Sequence, residues 1–369
     1  MPTKRASKTR PSRSDFRPLR IAQIAPLYER VPPKLYGGTE RVVAYLADEL
    51  VRRGHQVTLF ASGDSLTKAK LHSGHPEALR LAGISEQGVF LHYPMISDAY
   101  RNADQHFDII HGHVDYWTFP FAELSPRISS VTTLHGRLDI DALLPVYSRY
   151  RKMPVVSISD AQRKPLAFLN WRATVYHGLP GDLLHFNPGP GKYLAFLGRI
   201  SPEKRPDLAI EVARAVGIPL KMAAKVDVPD RAYYEAVVKP RLSPPDIEYV
   251  GEIDEVEKND FLGNAMVLLF TIDWPEPFGL AMIEAMACGT PVVTRPYGSV
   301  PEIVKPGVSG YIAGTMDELA AAVRQAIELP RKKVRAEFDQ RFTVGRMADR
   351  YERVYRRLIA MRKSGTKKR

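Results

Sequence analysis

Short apolar runs alternate with amphipathic stretches along this chain. RIAQIAPLY (20–28) reads as a buried strand ending in the loop VPPKLYGGTE, which feeds a helix with Val42, Val43, Leu46 and Leu50 on one face. Gly54 ends that helix and QVTLFAS follows as the next strand, a βαβ unit that implies a parallel sheet. FDIIHGH (107–113), ISSVTTLHG (128–136) and PVVSIS (154–159) are further strand-like runs. HFNPGPGK (185–192), with two prolines and two glycines, reads as a linker. KYLAFLGRI (192–200) then repeats the opening event, followed by the loop SPEKRP and a helix over 207–216. PLKMAAKV, IEYVGEI, AMVLLFTI and TPVVTR continue as strands. The expected architecture is α/β: two doubly wound parallel-sheet domains facing each other across a cleft, with ligands beyond the carboxyl ends of the strands.

A length of 369 residues fits two such domains. The expected division is a basic disordered tail over 1–18, an N-terminal domain over 19–187 and a second domain over 188–345. A C-terminal helix with a basic tail (346–369) is expected to pack back on the first domain. The net charge of +12 suggests nucleic acid until it is located. Residues 1–20 hold seven Lys/Arg against Asp15, and residues 353–369 hold eight with no acid, which leaves the core near −2. The tails lack interleaved aromatics for base stacking, so no nucleic-acid partner is expected. They suit solvated ends or contact with an anionic membrane surface. The longest apolar run, Ala265 to Ile272, is short of a membrane span. With no apolar secretory region and a single cysteine, Cys288, a cytoplasmic protein is expected, with peripheral attachment to the inner membrane face as an extension.

The first βα loop shows neither a dinucleotide nor a phosphate-loop signature. It carries Gly37-Gly38-Thr39-Glu40 at a helix start, where backbone N–H groups can approach an anion or simply form a tight turn. In the second half, Gly198-Arg199 ends a strand and Lys204 follows in the loop, an arrangement suited to a diphosphate or to a helix-entry salt bridge. In PEPFGLAMIEAMACGTPVV (275–293), prolines on both sides hold Glu276 extended and a helix starts near Phe278-Gly279-Leu280. Its free N–H groups face the cleft, Gly279 permits close approach of a ligand, and Glu284 lies on the second turn. Carboxylates repel phosphate but accept hydrogen bonds from hydroxyls. A nucleotide sugar fits, with Glu276 on the sugar hydroxyls and Glu284 on the ribose.

P-E-P-F-G-L-x-x-I-E-A-M-A-x-G-T-P-V-V resembles the E-x7-E motif of the retaining family 4 glycosyltransferases, which have the GT-B fold of two facing Rossmann-like domains. G-R-x-x-x-x-K (198–204), the Gly-Gly loop, TLHG (133–136) and GSVPEI (298–303) resemble that family at matching places, over about residues 19–350. The resemblance implies a hexosyltransferase that needs no metal or other cofactor. Arg199 and Lys204 would bind the donor diphosphate, with Gly38 in the loop closing on it. Glu276, helped by the Phe278 and Gly279 backbone, would hold the hexose, Glu284 the ribose, and His135 would sit beside the sugar ring. UDP-glucose is the favoured donor and GDP-mannose the next. The acceptor is a saccharide, lipid or small natural product. KMAAKVD (221–227) and His177-Gly178 depart from the family's usual residues.

Other readings stand beside this one. His111-Gly112-His113-Val114-Asp115 with His135 could form the zinc site of a metal-dependent hydrolase. Asp139-Ile140-Asp141 resembles a manganese-binding D-x-D, although its context differs. A nucleotide-sugar epimerase, a phosphorylase or a non-catalytic sugar-nucleotide sensor could share the fold.

Overall fold

The computed structural model describes residues 17–35, 37–84 and 88–366. Most of the basic N-terminal tail and the last three residues of the C-terminal one lie outside the described residues. Seven strands form the first sheet: β1 (Arg20–Ile24), β2 (Gln56–Ser62), β3 (Lys70–His75), β4 (Ile109–Gly112), β5 (Ser129–Thr133), β6 (Pro154–Ser157) and β7 (Asn170–Thr174). They are parallel, in the order β3-β2-β1-β4-β5-β6-β7. The second sheet has β8 (Tyr193–Arg199), β9 (Leu220–Lys225), β10 (Ile247–Gly251), β11 (Ala265–Phe270), β12 (Val292–Thr294) and β13 (Gly310–Ile312). It too is parallel, in the order β10-β9-β8-β11-β12-β13. In each sheet the order reverses between the first strand and its later neighbour, β1 beside β4 and β8 beside β11. A crevice opens at such a switch point, outside the carboxyl ends of the strands.

Central strands are covered on both faces and therefore read as continuous apolar runs. Ile21, in register with Val57 and Ile109, belongs to a core shared with Leu46 and Leu50 of the helix Gly38–Arg52. Strands β3, β7 and β13 were not evident from the sequence. KLHSGH and NWRAT are edge strands with few buried side chains, and GYI is three residues long. The helix Gly88–Tyr100 was hidden by Pro94 in its interior.

The segment 185–192 is no free spacer. The Asn187 N–H donates to the Cys288 carbonyl (3.1 Å) and the Lys192 N–H to that of Asn264 (2.8 Å). Beyond the second sheet, the helix Val344–Thr366 returns to the first, where Met347, Tyr351, Tyr355 and Leu358 join the core around Ile21 and Leu46. Arg53 ties this helix to the helix Gly38–Arg52 through Asp349 (2.7 Å), Glu352 (3.0 Å) and the Gly345 carbonyl (2.7 Å). Among the described residues no helix is long and apolar enough to cross a membrane.

One guanidinium organises the far end of the second sheet. Arg331 donates to the carbonyls of Asn187 (2.7 Å), Gly263 (2.8 Å) and Ala265 (2.7 Å) and to Thr290 Oγ1 (2.8 Å). Arg331→Ala strips several acceptors of their partner at once. Urea unfolding is expected to show a loss of about 2–4 kcal/mol, and Arg331→Lys, which replaces the fork by a point charge, should recover only part of it.

Candidate functional site

The carboxyl ends of the two sheets enclose a cleft of about 450 Å³, within the range of small-molecule sites. Gly37, Gly38 and His135 line it from the first half. Gly198, Arg199, Lys204, Glu276, Phe278, Gly279, Leu280 and Glu284 line it from the second. All the residues read as nucleotide-sugar contacts thus line one cleft, while His111, His113, Asp115, Asp139 and Asp141 do not.

The segment around Glu276 is clamped by the loop that follows β12. Ser299 donates its N–H to the Glu276 carbonyl (2.9 Å) and its hydroxyl to the Phe278 carbonyl (2.9 Å). Gly298 approaches so closely, at φ 56°, that a Cβ there would lie 2.3 Å from the Glu276 carbonyl oxygen. Gly279 caps the helix Leu280–Ala287 at φ 82°, where a Cβ would lie 2.6 Å from Met282 Cε.

Each carboxylate has a protein partner that the sequence reading did not identify. Glu276, 8% exposed, accepts hydrogen bonds from Lys204 Nζ and from Trp274 Nε1 (3.1 Å). Glu284, 3% exposed, accepts one from Lys258 Nζ at 2.8 Å. Arg199 is paired with Glu203 and lies 3.2 Å from Asp230. Both cations, read as suited to a diphosphate or to a salt bridge, therefore have carboxylate partners, and the Lys204 ammonium also lies over the Trp274 ring at 4.6 Å.

The opposite wall sets a histidine cluster beside Arg41, Arg80 and Arg137. Burial brings His135 down to about 3 and holds His111, His113 and His177 well below the ordinary imidazole range. His135 Nε2 meets His113 Nδ1 (2.9 Å), and His113 Nε2 meets Gln23 Oε1 (2.7 Å). The metal-hydrolase reading fails here. Both ring nitrogens of His111 are engaged, by the Tyr355 hydroxyl (2.7 Å) and by Thr133 Oγ1 (2.7 Å). Among the described residues no group of three or more His, Cys, Asp or Glu side chains could hold a metal ion. Asp139 of the D-x-D is taken by Arg137 through two hydrogen bonds of 2.8 Å.

Two family models match the chain: Glycosyltransferase Family 4 over residues 36–200 and Glycosyl transferases group 1 over 185–342. The chain belongs to the family 4 glycosyltransferases. This enzyme is 27% identical over 259 residues to the D-inositol 3-phosphate glycosyltransferase of Mycobacterium marinum, covering 59% of this chain and 55% of that one, so the match spans about half of that relative's length. It is 23% identical to the N-acetyl-alpha-D-glucosaminyl L-malate synthase of Bacillus anthracis, over 89% of this chain and 96% of that protein. Among solved structures, Anabaena HepE in complex with UDP-glucose superposes with a TM-score of 0.68 at 17% identity, covering 94% of this chain and all of that one. The likeness to HepE establishes the GT-B fold.

Several residues of the glycosyltransferase's cleft were missed from the sequence. Lys258 sits in the charged run EVEKND, which reads as a solvent face. Trp274 and Glu203 gave no signal beyond their neighbourhood. Glu302, although within the quoted GSVPEI run, works across the cleft. Its carboxylate accepts the N–H groups of Asp160 (2.8 Å) and Ala161 (2.7 Å) and the Tyr176 hydroxyl (3.0 Å). Arg41 of the first half pairs with Glu255 of the second.

Two outcomes follow from this geometry. Gly298→Ala must push the Glu276 backbone aside, so ligand-induced stabilisation should fall sharply while circular dichroism stays native. Glu40, 6% exposed at the cleft, is raised to about 7, chiefly by burial. Its folded pKa lies above the unfolded value, so the stability it contributes is present below pH 4.5 and lost as pH rises to about 7. Glu40→Gln is therefore expected to melt roughly a few degrees above the wild type near pH 8, with the gap closing toward about pH 4.5 in melting curves.

Proposed function

We propose that this enzyme moves a hexose from a nucleotide-sugar donor to an acceptor hydroxyl, with retention of anomeric configuration and no metal requirement. UDP-glucose is the favoured donor and GDP-mannose the next; the acceptor is a saccharide, lipid or small natural product. The observation that carries this reading is the contact between Lys204 and Glu276. A cation suited to phosphate touches a carboxylate suited to hydroxyls, so one ligand presenting both groups side by side satisfies both. HepE, whose structure contains UDP-glucose, lends weight to uridine and glucose.

In the proposed reaction, Arg199, Lys204 and the N-terminus of the helix Leu280–Ala287 stabilise the charge that builds on the leaving diphosphate. The bond from the anomeric carbon to the phosphate oxygen breaks, and the bond to the acceptor oxygen forms on the same face. A phosphate oxygen of the leaving group takes the acceptor's proton. Glu276 with the Phe278 and Gly279 backbone orients the hexose, Glu284 the ribose, and Gly37 and Gly38 approach the phosphates. His135, neutral, lies beside the ring.

A thermal-shift panel of UDP, GDP and their sugar conjugates in EDTA tests this reading. A ligand at a hundred times its Kd adds about 2.7 kcal/mol. A shift with one nucleotide series, larger for one sugar, is expected; a shift that appears only on adding a divalent metal would sink the metal-free mechanism. Glu276→Ala should lose the sugar-dependent increment yet keep UDP binding, because Lys204 is then free for phosphate. Arg199→Ala should weaken UDP and UDP-sugar alike, by about 1.5–3 kcal/mol. Equal loss of bare UDP in Glu276→Ala would remove that carboxylate from the hexose.

A further inference from the structure

We propose that Lys258 acts with Glu284 as a two-part reader of the donor's ribose diol, Lys258 donating to one hydroxyl oxygen and Glu284 accepting from its neighbour. Lys258 is then a specificity residue that separates ribonucleotides from deoxyribonucleotides. This rests on the nucleotide-sugar reading above and adds a residue to it.

The helix Glu255–Gly263 buries Phe261 and Leu262 in the usual way, but its first turn reverses what burial ordinarily selects. Val256 is 80% exposed, whereas Lys258 is 8% exposed and lines the cleft. The orientation is fixed at the helix start by a capping box. Asp254 Oδ1 accepts the N–H groups of Val256 and Glu257 (both 2.9 Å), and Glu257 Oε2 accepts that of Asp254 (2.8 Å). Burying an ammonium is costly, and an apolar side chain would fill the same space more cheaply. Burial pulls Lys258 below its ordinary range, Glu284 opposes that shift and nearby Arg41 adds to it.

The pair's hydrogen-bonding capacity points to its ligand. An ammonium has three donors, and among the described residues Lys258 spends one, on Glu284 Oε1. The carboxylate keeps Oε2 as an acceptor. Donor and acceptor sit side by side at the cleft wall, and a vicinal diol offers the complement, a lone pair on one oxygen and a proton on the next. Phosphate would be repelled by Glu284; a base edge can also set an acceptor beside a donor, and only the diol reading makes binding depend on the 2′- and 3′-hydroxyls. Glu284 alone could only accept; Lys258 makes the site sensitive to the loss of either hydroxyl.

Titration calorimetry with UDP, 2′-deoxy-UDP, 3′-deoxy-UDP and pyrophosphate separates the possibilities. The wild type should prefer UDP over each deoxy analogue by about ten- to a hundred-fold, the range of one charge-assisted hydrogen bond. Lys258→Met should reduce the preference over one analogue to roughly threefold or less, with pyrophosphate affinity unchanged. Because that variant leaves Glu284 buried without its partner, the double variant K258M/E284Q, which removes both charges, is measured beside it; there both preferences should collapse. A folded Lys258→Met that keeps both preferences, or a wild type that binds UDP and its deoxy analogues equally, overturns the role of Lys258 and leaves the transferase reading standing. A wild type that binds neither UDP nor GDP overturns the transferase reading, and this one with it.

Discussion

Taking a carboxylate out of water is costly unless a partner offsets its lost hydration, and here each of the two has its own lysine. Glu276 lies on Lys204 and Glu284 on Lys258, with side-chain exposures of 10%, 16%, 4% and 11% respectively. Breaking such a pair leaves an uncompensated charge at a cost of about 3–5 kcal/mol. The clamp of Gly298 and Ser299 on the Glu276 backbone, and the capping box that turns Lys258 inward, both keep these pairs in register. The consequence for binding is exchange rather than addition. A phosphate that draws Lys204 away leaves Glu276 short of donors, and hydroxyls on the same ligand can supply them. Phosphate and sugar are thereby coupled, which favours a ligand that carries both over either alone.

The opposite wall follows a different rule. His111, His113, His135 and His177 are held neutral because burial penalises the imidazolium, and hydrogen bonds run from His135 Nε2 through His113 and Gln23 to Tyr355 of the last helix, while Nδ1 of His135 and of His177 are buried without a partner among the described residues. In the reaction proposed above, a cationic ring beside the sugar would oppose the positive charge developing at the anomeric carbon. Neutral rings avoid that cost. The second-half wall thus carries paired charges, and the first-half wall sets a cluster of neutral histidines beside Arg41, Arg80 and Arg137.

This division bears on what could be read from the chain. Strands buried on both faces announce themselves as apolar runs, and the PEPFG turn is legible because proline and glycine act on their immediate neighbours. Edge strands β3 and β7, polar on their open side, do not stand out. Nor do the partners of the key carboxylates, since Lys204 is 72 positions from Glu276 and Lys258 is 26 from Glu284. The same blindness made His111-Gly112-His113 look like metal ligands. His111 is occupied on one nitrogen by Thr133 and on the other by Tyr355, 244 positions away. Local chemistry was legible, and the pairing that decides its charge was not.

The two halves of the cleft are joined by contacts of two kinds. The last helix belongs to the first half, its Tyr351 and Tyr355 fully buried in that core. Across the cleft the ties are mixed: Glu302 caps the turn at 160–161 and Arg41 meets Glu255, while Ile158 and Tyr176 pack on the second-half core and Leu280 on the first-half core. Polar ties can be exchanged for water at small net cost, whereas separating an apolar core cannot. The chain itself passes between the halves near 178–179 and again near 343–344, and these crossings are bonded to each other. The Leu179 N–H donates to the Phe342 carbonyl (2.9 Å) and the Val344 N–H to that of Leu179 (2.7 Å). Any change in the angle between the walls must be absorbed there. The paired carboxylates, the neutral histidines and the covalent crossings therefore divide the work: the first set what binds, the second what charge it meets, and the third how the walls are joined.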